Sequence, residues 1–143
     1  MVKNCDHVTI VVRDVTAAKE FFNLLGFKED KSVVISGEKF EKYMGVDGIE
    51  AQHVTMVLAG ASPRMEVQLL KYDHPDPIED PNITNLTKLG YNHVCFAVDD
   101  IEAEVEKLKA AGVEILNDVM DFNDRKLVYF VGPEGITLEL AQW

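Results

Sequence analysis

Residues 6–27, DHVTIVVRDVTAAKEFFNLLGF, return as residues 92–113, NHVCFAVDDIEAEVEKLKAAGV, without a gap. The offset is a constant 86 residues: His7 falls on His93, Val8 on Val94, Val12 on Val98, Asp14 on Asp100, Ala17 on Ala103, Glu20 on Glu106 and Gly26 on Gly112. An ordered run of matches at one offset marks an internal repeat, so the chain is two copies of one module.

Each copy opens on an apolar, β-rich run of strand length, 7–12 or 93–98. Asp14 and Asp100 then stand where an N-cap belongs. Behind them apolar residues recur at helical spacing: Val15, Ala18, Phe21, Phe22 and Leu25 in the first copy, Ile101, Val105, Leu108 and Ala111 in the second. Gly26 and Gly112 close these helices, since glycine takes the left-handed terminal conformation at least cost. Further strands are predicted over 31–36, 51–59 and 64–72, and over 113–117, 126–131 and 136–142, with turns at 59–63 and 132–135.

Each copy therefore reads β-α-β-β-β. The predicted fold class is α+β: tandem βαβββ modules in one domain, 1–143, built on a curved mixed sheet. Module one covers about 1–74 and module two about 91–143. Between them lies a linker of about 75–90, rich in Pro, Asp and Asn, with one short helical turn near Asn85. Matching Val67-Gln68-Leu69 to Leu138-Glu139-Leu140 lowers the offset to 71, so the first copy carries about 15 extra residues. They are placed at 37–50, where Phe40, Tyr43 and Met44 suit a lid, a dimer contact or a plain surface loop.

Composition narrows the function. At 143 residues and 47% hydrophobic the chain can bury one sizeable core but not two independent ones. It has no apolar run of membrane length, and residues 1–6 lack a signal-peptide core, so a soluble, cytoplasmic protein without a membrane partner is expected. A net charge of −11 with scattered lysines excludes a phosphate-backbone partner, so no nucleic acid is expected, and it disfavours a coenzyme A thioester at long range. Cys5 and Cys95 lie in alternating apolar runs and are expected to be buried free thiols, neither a disulfide nor a thiolate metal site.

Four segments resemble the vicinal oxygen chelate superfamily, which includes glyoxalase I, methylmalonyl-CoA epimerase, extradiol dioxygenases and the fosfomycin and bleomycin resistance proteins. They are Asp6-His7-Val8; Ala17-Ala18-Lys19-Glu20-Phe21-Phe22 before Leu24-Leu25-Gly26-Phe27; Asn92-His93-Val94; and 132–140, GPEGITLEL. The resemblance extends over nearly the whole chain and implies a glyoxalase-like fold. In metal-bearing members one ligand starts the first strand and another ends the last strand of each module. The positions this implies here are His7, Gln68, His93 and Glu139.

Two imidazoles, an amide oxygen and a carboxylate make a mixed N/O set of net charge −1, suited to zinc, nickel, cobalt, manganese or iron(II). The equivalence of His7 and His93 in the repeat argues against two unrelated core histidines. Glu139, between Leu138 and Leu140, is costly to bury without a cation or donors, and otherwise reads as a sheet-edge surface glutamate. Glu66 and Gln68 are two apart in a strand and share a face, so either could be the first module's ligand. The alignment with Glu139 favours Gln68 and a set similar to that of methylmalonyl-CoA epimerase, whereas glyoxalase I usually has a glutamate there. His53, in the strand run Gln52-His53-Val54-Thr55-Met56, reads either as a histidine that reaches the site or, in preference, as an exposed strand histidine, and His74 reads as a solvated loop residue.

The resemblance implies a divalent-metal-dependent lyase, isomerase or epimerase acting on a small carbonyl or thioester substrate through a metal-stabilised enolate. Glu139 would be the proton-transfer base and Glu66 the second candidate. A homodimer is also implied. Only Arg13, Arg64 and Arg125 are available to fix glutathione carboxylates, a departure from glyoxalase I. The competing class is a non-catalytic, antibiotic-sequestering protein like the bleomycin resistance members, for which the net negative charge is suited.

Overall fold

The computed structural model describes residues 1–143. The chain divides into two compact units, Met1–Glu79 and Asp80–Trp143. The first contains β1 (His7–Val11), α1 (Val15–Leu24), β2 (Phe27–Ser36), α2 (Glu38–Met44), β3 (Glu50–Leu58) and β4 (Glu66–His74). The second contains β5 (Val94–Ala97), α3 (Ile101–Ala110), β6 (Met120–Asp121), β7 (Lys126–Val131) and β8 (Thr137–Gln142). A single 3-10 turn, Pro133–Gly135, joins β7 to β8.

Two mixed four-stranded sheets result, ordered β1-β4-β3-β2 and β5-β8-β7-β6. In each, the strand before the long helix runs parallel to the last strand, and the other pairings are antiparallel. The fold is thus the α+β arrangement of repeated βαβββ modules that the repeat predicts.

The repeat is visible at the helix ends. Asp14 accepts from Ala17 N at 2.9 Å and Asp100 from Ala103 N at 3.0 Å, so each caps its helix. Gly26 and Gly112 follow the helices at φ +91° and +83°, a conformation that side chains with a Cβ rarely adopt. Asp14→Ala and Asp100→Ala are each expected to lose about 1 kcal/mol of stability. Their losses should add in the double variant, because the caps lie in different units and share no partner. Urea denaturation of the three variants checks both statements.

Each helix covers one face of its own sheet. In unit one Phe22 is fully buried and meets Phe27 edge-on, with ring centroids 5.8 Å apart, beside buried Val12, Ala18, Val54, Met56, Val67 and Leu69. In unit two α3 buries Ile101, Val105 and Leu108, and the strands bury Val128, Phe130, Leu138 and Leu140. Because strand side chains alternate, the residues between these in sequence occupy the opposite face of each sheet. That second face carries the polar residues described below.

Several expectations need correction. Residues 113–117 do not form a strand of the sheet. Only Ile115 makes a bridge, to Phe130, and the Asn117 side-chain oxygen takes the amide of Tyr129 in place of a backbone acceptor. The ladder to β7 is supplied by the two-residue β6 instead. Strand β2 starts at Phe27, directly after the helix, and carries a register shift between Glu29 and Lys31.

His74 is the last residue of β4, paired with Glu50, rather than a loop residue. The 37–50 insertion is ordered around α2, with Phe40 and Val46 packed on Ile35, Ile49, Ala51 and Leu70. The turn near Asn85 is present, closed by Asn85 N to Asn82 O at 2.9 Å. Both cysteines are exposed, not buried.

Candidate functional site

In unit one His7 opens β1, and its register partner on β4 is Glu66; Thr9, two residues on, is paired with Gln68. Side chains at paired positions share a face, so His7, Thr9, Glu66 and Gln68 stand together opposite α1. His53 and Thr55 of β3 join them, through pairing with Leu70 and Gln68 respectively. His7 is held by Asp6, with Nδ1 2.7 Å from Oδ1. The amide oxygen of Gln68 faces His53 Nε2 at 3.0 Å and accepts from Thr9 Oγ1 at 3.3 Å; its NH2 donates to Glu66 at 3.1 Å.

Glu66 also accepts from Arg64 Nε at 2.7 Å, and Arg64 reaches on to Asp30 at 3.0 Å. The Arg64 hydrogen bond first, and that of Gln68 second, hold the Glu66 carboxyl below the usual carboxylate range. Glu66 is therefore an ion-paired anchor for the Gln68 amide.

Unit two repeats the layout. Cys95 is paired with Glu139 as Thr9 is with Gln68, and Tyr129 is paired with Glu139 as Thr55 is with Gln68. Gln68 and Glu139 therefore hold equivalent places in their sheets, and Glu66 is equivalent to Thr137. Glu139 lies on a central strand and is only 7% exposed. It is not a sheet-edge surface residue.

Cys95 and Tyr129 flank Glu139 on the two neighbouring strands. Burial, with the Glu139 carboxylate beside it adding to the effect, pushes the Cys95 thiol up to about 12. The thiol is therefore neutral beside the carboxylate, although it stands at the exposed face.

The orientation of His93 can be deduced. Asn92 Nδ2 donates to Leu86 O at 2.7 Å, so the amide oxygen is the Asn92 atom that faces His93 Nδ1, also at 2.7 Å. An acceptor there requires Nδ1 to carry the proton. Nε2, 3.5 Å from Glu139 Oε1, then presents a lone pair to a carboxylate oxygen unless a second proton or a metal cation lies between them. Ligand atoms about 2.1 Å from a tetrahedral metal are about 3.4 Å apart, so this spacing fits one edge of a coordination polyhedron. At His7 the Asp6 carboxylate serves the purpose that the Asn92 amide serves at His93. Partners of this kind set the tautomer and orientation of metal-binding histidines.

The donor chemistry thus suits a divalent cation in both units, with one difference. The Gln68 oxygen is already engaged by Thr9 and His53, and coordination would exchange one of them for the cation. No group of three or more His, Cys, Asp or Glu side chains placed to hold a metal occurs in the chain. The structure brings His7, Glu66 and Gln68 together in one unit and His93 with Glu139 in the other.

His53 is half-buried on this face and meets Gln68, which agrees with the reading that it reaches this face and not with the preferred one of an exposed strand histidine. Thr55, Tyr129, Cys95 and the histidine-orienting Asp6 and Asn92 were not singled out from the sequence. The repeat held the signal for the last pair, since Asp6 falls on Asn92 immediately before each histidine.

The model of the Glyoxalase/Bleomycin resistance protein/Dioxygenase superfamily matches residues 4–140, and the chain belongs to that superfamily. It is 26% identical over 142 residues to the uncharacterized protein YaeR of Escherichia coli strain K12, covering 98% of this chain and 96% of YaeR. The glyoxalase family protein APC24694 from Bacillus cereus has a similar structure, with TM-score 0.89 and 27% identity, covering 99% of this chain and 95% of that one. The fosfomycin resistance protein FosX from Listeria monocytogenes, complexed with Mn(II) and sulfate, shares the fold at TM-score 0.64 and 20% identity, covering 100% and 94% of the two chains. No helix of this chain is long and apolar enough to cross a membrane.

Proposed function

We propose that the chain is a divalent-metal-dependent enzyme of the lyase, isomerase or epimerase type, acting on a small carbonyl or thioester compound. His7, Gln68, His93 and Glu139 are its metal ligands, and zinc, nickel, cobalt, manganese or iron(II) suits the set. The observation that carries this reading is the placement of the His93 ring, with Nδ1 on the Asn92 side chain and Nε2 3.5 Å from the buried carboxylate of Glu139. The same device recurs at His7 with Asp6. Further support comes from FosX, whose structure with Mn(II) shows the fold accommodating such a cation.

A bound cation would supply Lewis acidity toward charge developing on substrate oxygens. The residues of the chain do the rest. Glu139 takes the proton from the carbon next to the substrate carbonyl, and Tyr129 and Cys95 orient its carboxylate for that transfer. The Thr9 and His53 contacts hold the Gln68 oxygen in place, and the Arg64–Glu66 pair holds its NH2.

Elemental analysis of the purified protein tests the reading. About one divalent ion per ligand set is expected in the native protein. In the His7→Ala/His93→Ala double variant it should fall below about a tenth of that, with an unchanged far-ultraviolet circular dichroism spectrum. Mass analysis of the loaded protein counts whether one chain or a homodimer furnishes the set. No bound metal, even after incubation with nickel, cobalt, zinc and manganese, would overturn the proposal and bring antibiotic sequestration forward.

A further inference from the structure

The site face of unit two continues beyond Glu139. Gln142 accepts from Ile101 N at 2.8 Å and Lys126 reaches Glu102 at 2.8 Å, so both side chains turn toward α3. By strand alternation their neighbours Trp143 and Arg125 turn the other way, onto the face that carries Glu139, Tyr129 and Cys95. There the Arg125 guanidinium lies 4.9 Å from the centre of the Trp143 ring. Between this pair and Glu139 the face is floored by small residues, Ala141 with exposed Ala97 beside it, and by Leu127.

The equivalent end of unit one is closed. Ala51, Leu70 and Tyr72, the counterparts of Arg125, Ala141 and Trp143, lie under or beside Phe40 and Val46 of the inserted segment. Unit two has no such insertion, and Trp143 is 75% exposed.

Arg125 also differs from the other two arginines. Arg13 pairs with Glu79, and Arg64 with Asp30 and Glu66, whereas Arg125 has no carboxylate partner in a chain with 25 acidic residues. Stacking on an aromatic ring fixes the guanidinium plane and leaves its N–H edge available for a bidentate bond to a planar anion. Screening confines the field of each carboxylate to about 8 Å at physiological salt, so the groups near Arg125, and not the net charge of the whole chain, decide whether an anion is held there.

We propose that Arg125, seated on Trp143, is the anchor for a substrate carboxylate remote from the reacting carbon. The substrate class is then a carbonyl or acyl compound that carries a distal carboxylate. The four residues from Glu139 to Trp143 place the two ends within about 13 Å of each other along β8. The inference rests on the proposed function only for the chemistry at the reacting end.

Trp143 is the only tryptophan, so its fluorescence reports on this position alone. The experiment is a titration at low ionic strength with glutarate and with uncharged glutaramide. It is run on chelator-stripped protein and on protein reloaded with zinc. A saturable fluorescence change with glutarate is expected in both states, about tenfold or more weaker with glutaramide. Arg125→Gln should abolish it, and Arg125→Lys, which keeps the charge but not the fork, should weaken it. A glutarate response that survives in Arg125→Gln, or that is missing in both metal states of the native protein, overturns the anchor. Equal responses in stripped and reloaded protein leave the anchor standing whatever the metal content proves to be, because the Arg125 end lies apart from the metal ligands.

Discussion

Glu139→Gln is expected to lower solvent-deuterium exchange into the carbonyl substrate by about 10²–10⁴-fold, the usual contribution of a positioned general base. The substitution keeps the shape of the side chain. The amide fits the space the carboxylate occupies between Tyr129 and Cys95, so the fold and the packing around residue 139, only 7% exposed, should survive. What is lost is the oxygen that carries the proton, together with one negative charge of the ligand set. The assay is therefore run at saturating metal, on the compound that an exchange screen of carbonyl compounds and acyl thioesters identifies. Glu66→Gln is the control: a residue committed to Arg64 and the Gln68 amide should cost less than about tenfold. Exchange by Glu139→Gln at the native rate would remove Glu139 from the role of base.

Phe22→Ala is expected to cost about 3–5 kcal/mol of stability. Phe22 is 0% exposed and makes edge-on contacts with both Phe21, at 5.2 Å, and Phe27, at 5.8 Å. Removing it deletes a full ring's burial and leaves a cavity under α1 that well-packed neighbours fill only in part. Domains of ordinary stability hold about 5–15 kcal/mol in all, so the variant should unfold at much lower urea. Phe122→Ala, at a side chain 51% exposed, should stay within about 0.5 kcal/mol of the native protein. Equal losses in the two variants would contradict the core assignment.

The repeat made most of the fold legible in the sequence, because it supplied two independent readings of each element. Asp14 and Asp100, and Gly26 and Gly112, marked the same helix ends twice, and the structure has both caps and both left-handed glycines. Where the copies diverge, legibility fell. Residues 113–117 are apolar enough for a strand, yet their ladder is broken by a side-chain acceptor, Asn117, which no periodicity announces.

His53 had no histidine at the matching place in the second copy, where Leu127 stands, so symmetry gave it no support. Its approach to Gln68 depends on the β3–β4 register, which is a tertiary fact. The thiol of Cys95 was misjudged for a related reason. Alternation showed that successive residues of β5 point to opposite faces, but not which face the helix would cover. The equivalence of Gln68 and Glu139, by contrast, needed only the spacing of two short apolar motifs.

The register shift in β2 bears on how these chains behave when crowded. β2 is the long outer strand of its sheet, ten residues bonded on one side only to β3. Its first half, Lys28-Glu29-Asp30-Lys31, combines four charged residues with the irregularity at Glu29/Lys31, two features that discourage a foreign strand from adding to an open rim. The second half lacks both. Val33 and Val34, 45% and 66% exposed, leave a short sticky stretch. Aggregation during expression or heating should therefore begin at that half of the strand, and a lysine at position 34 is the economical remedy for poor solubility.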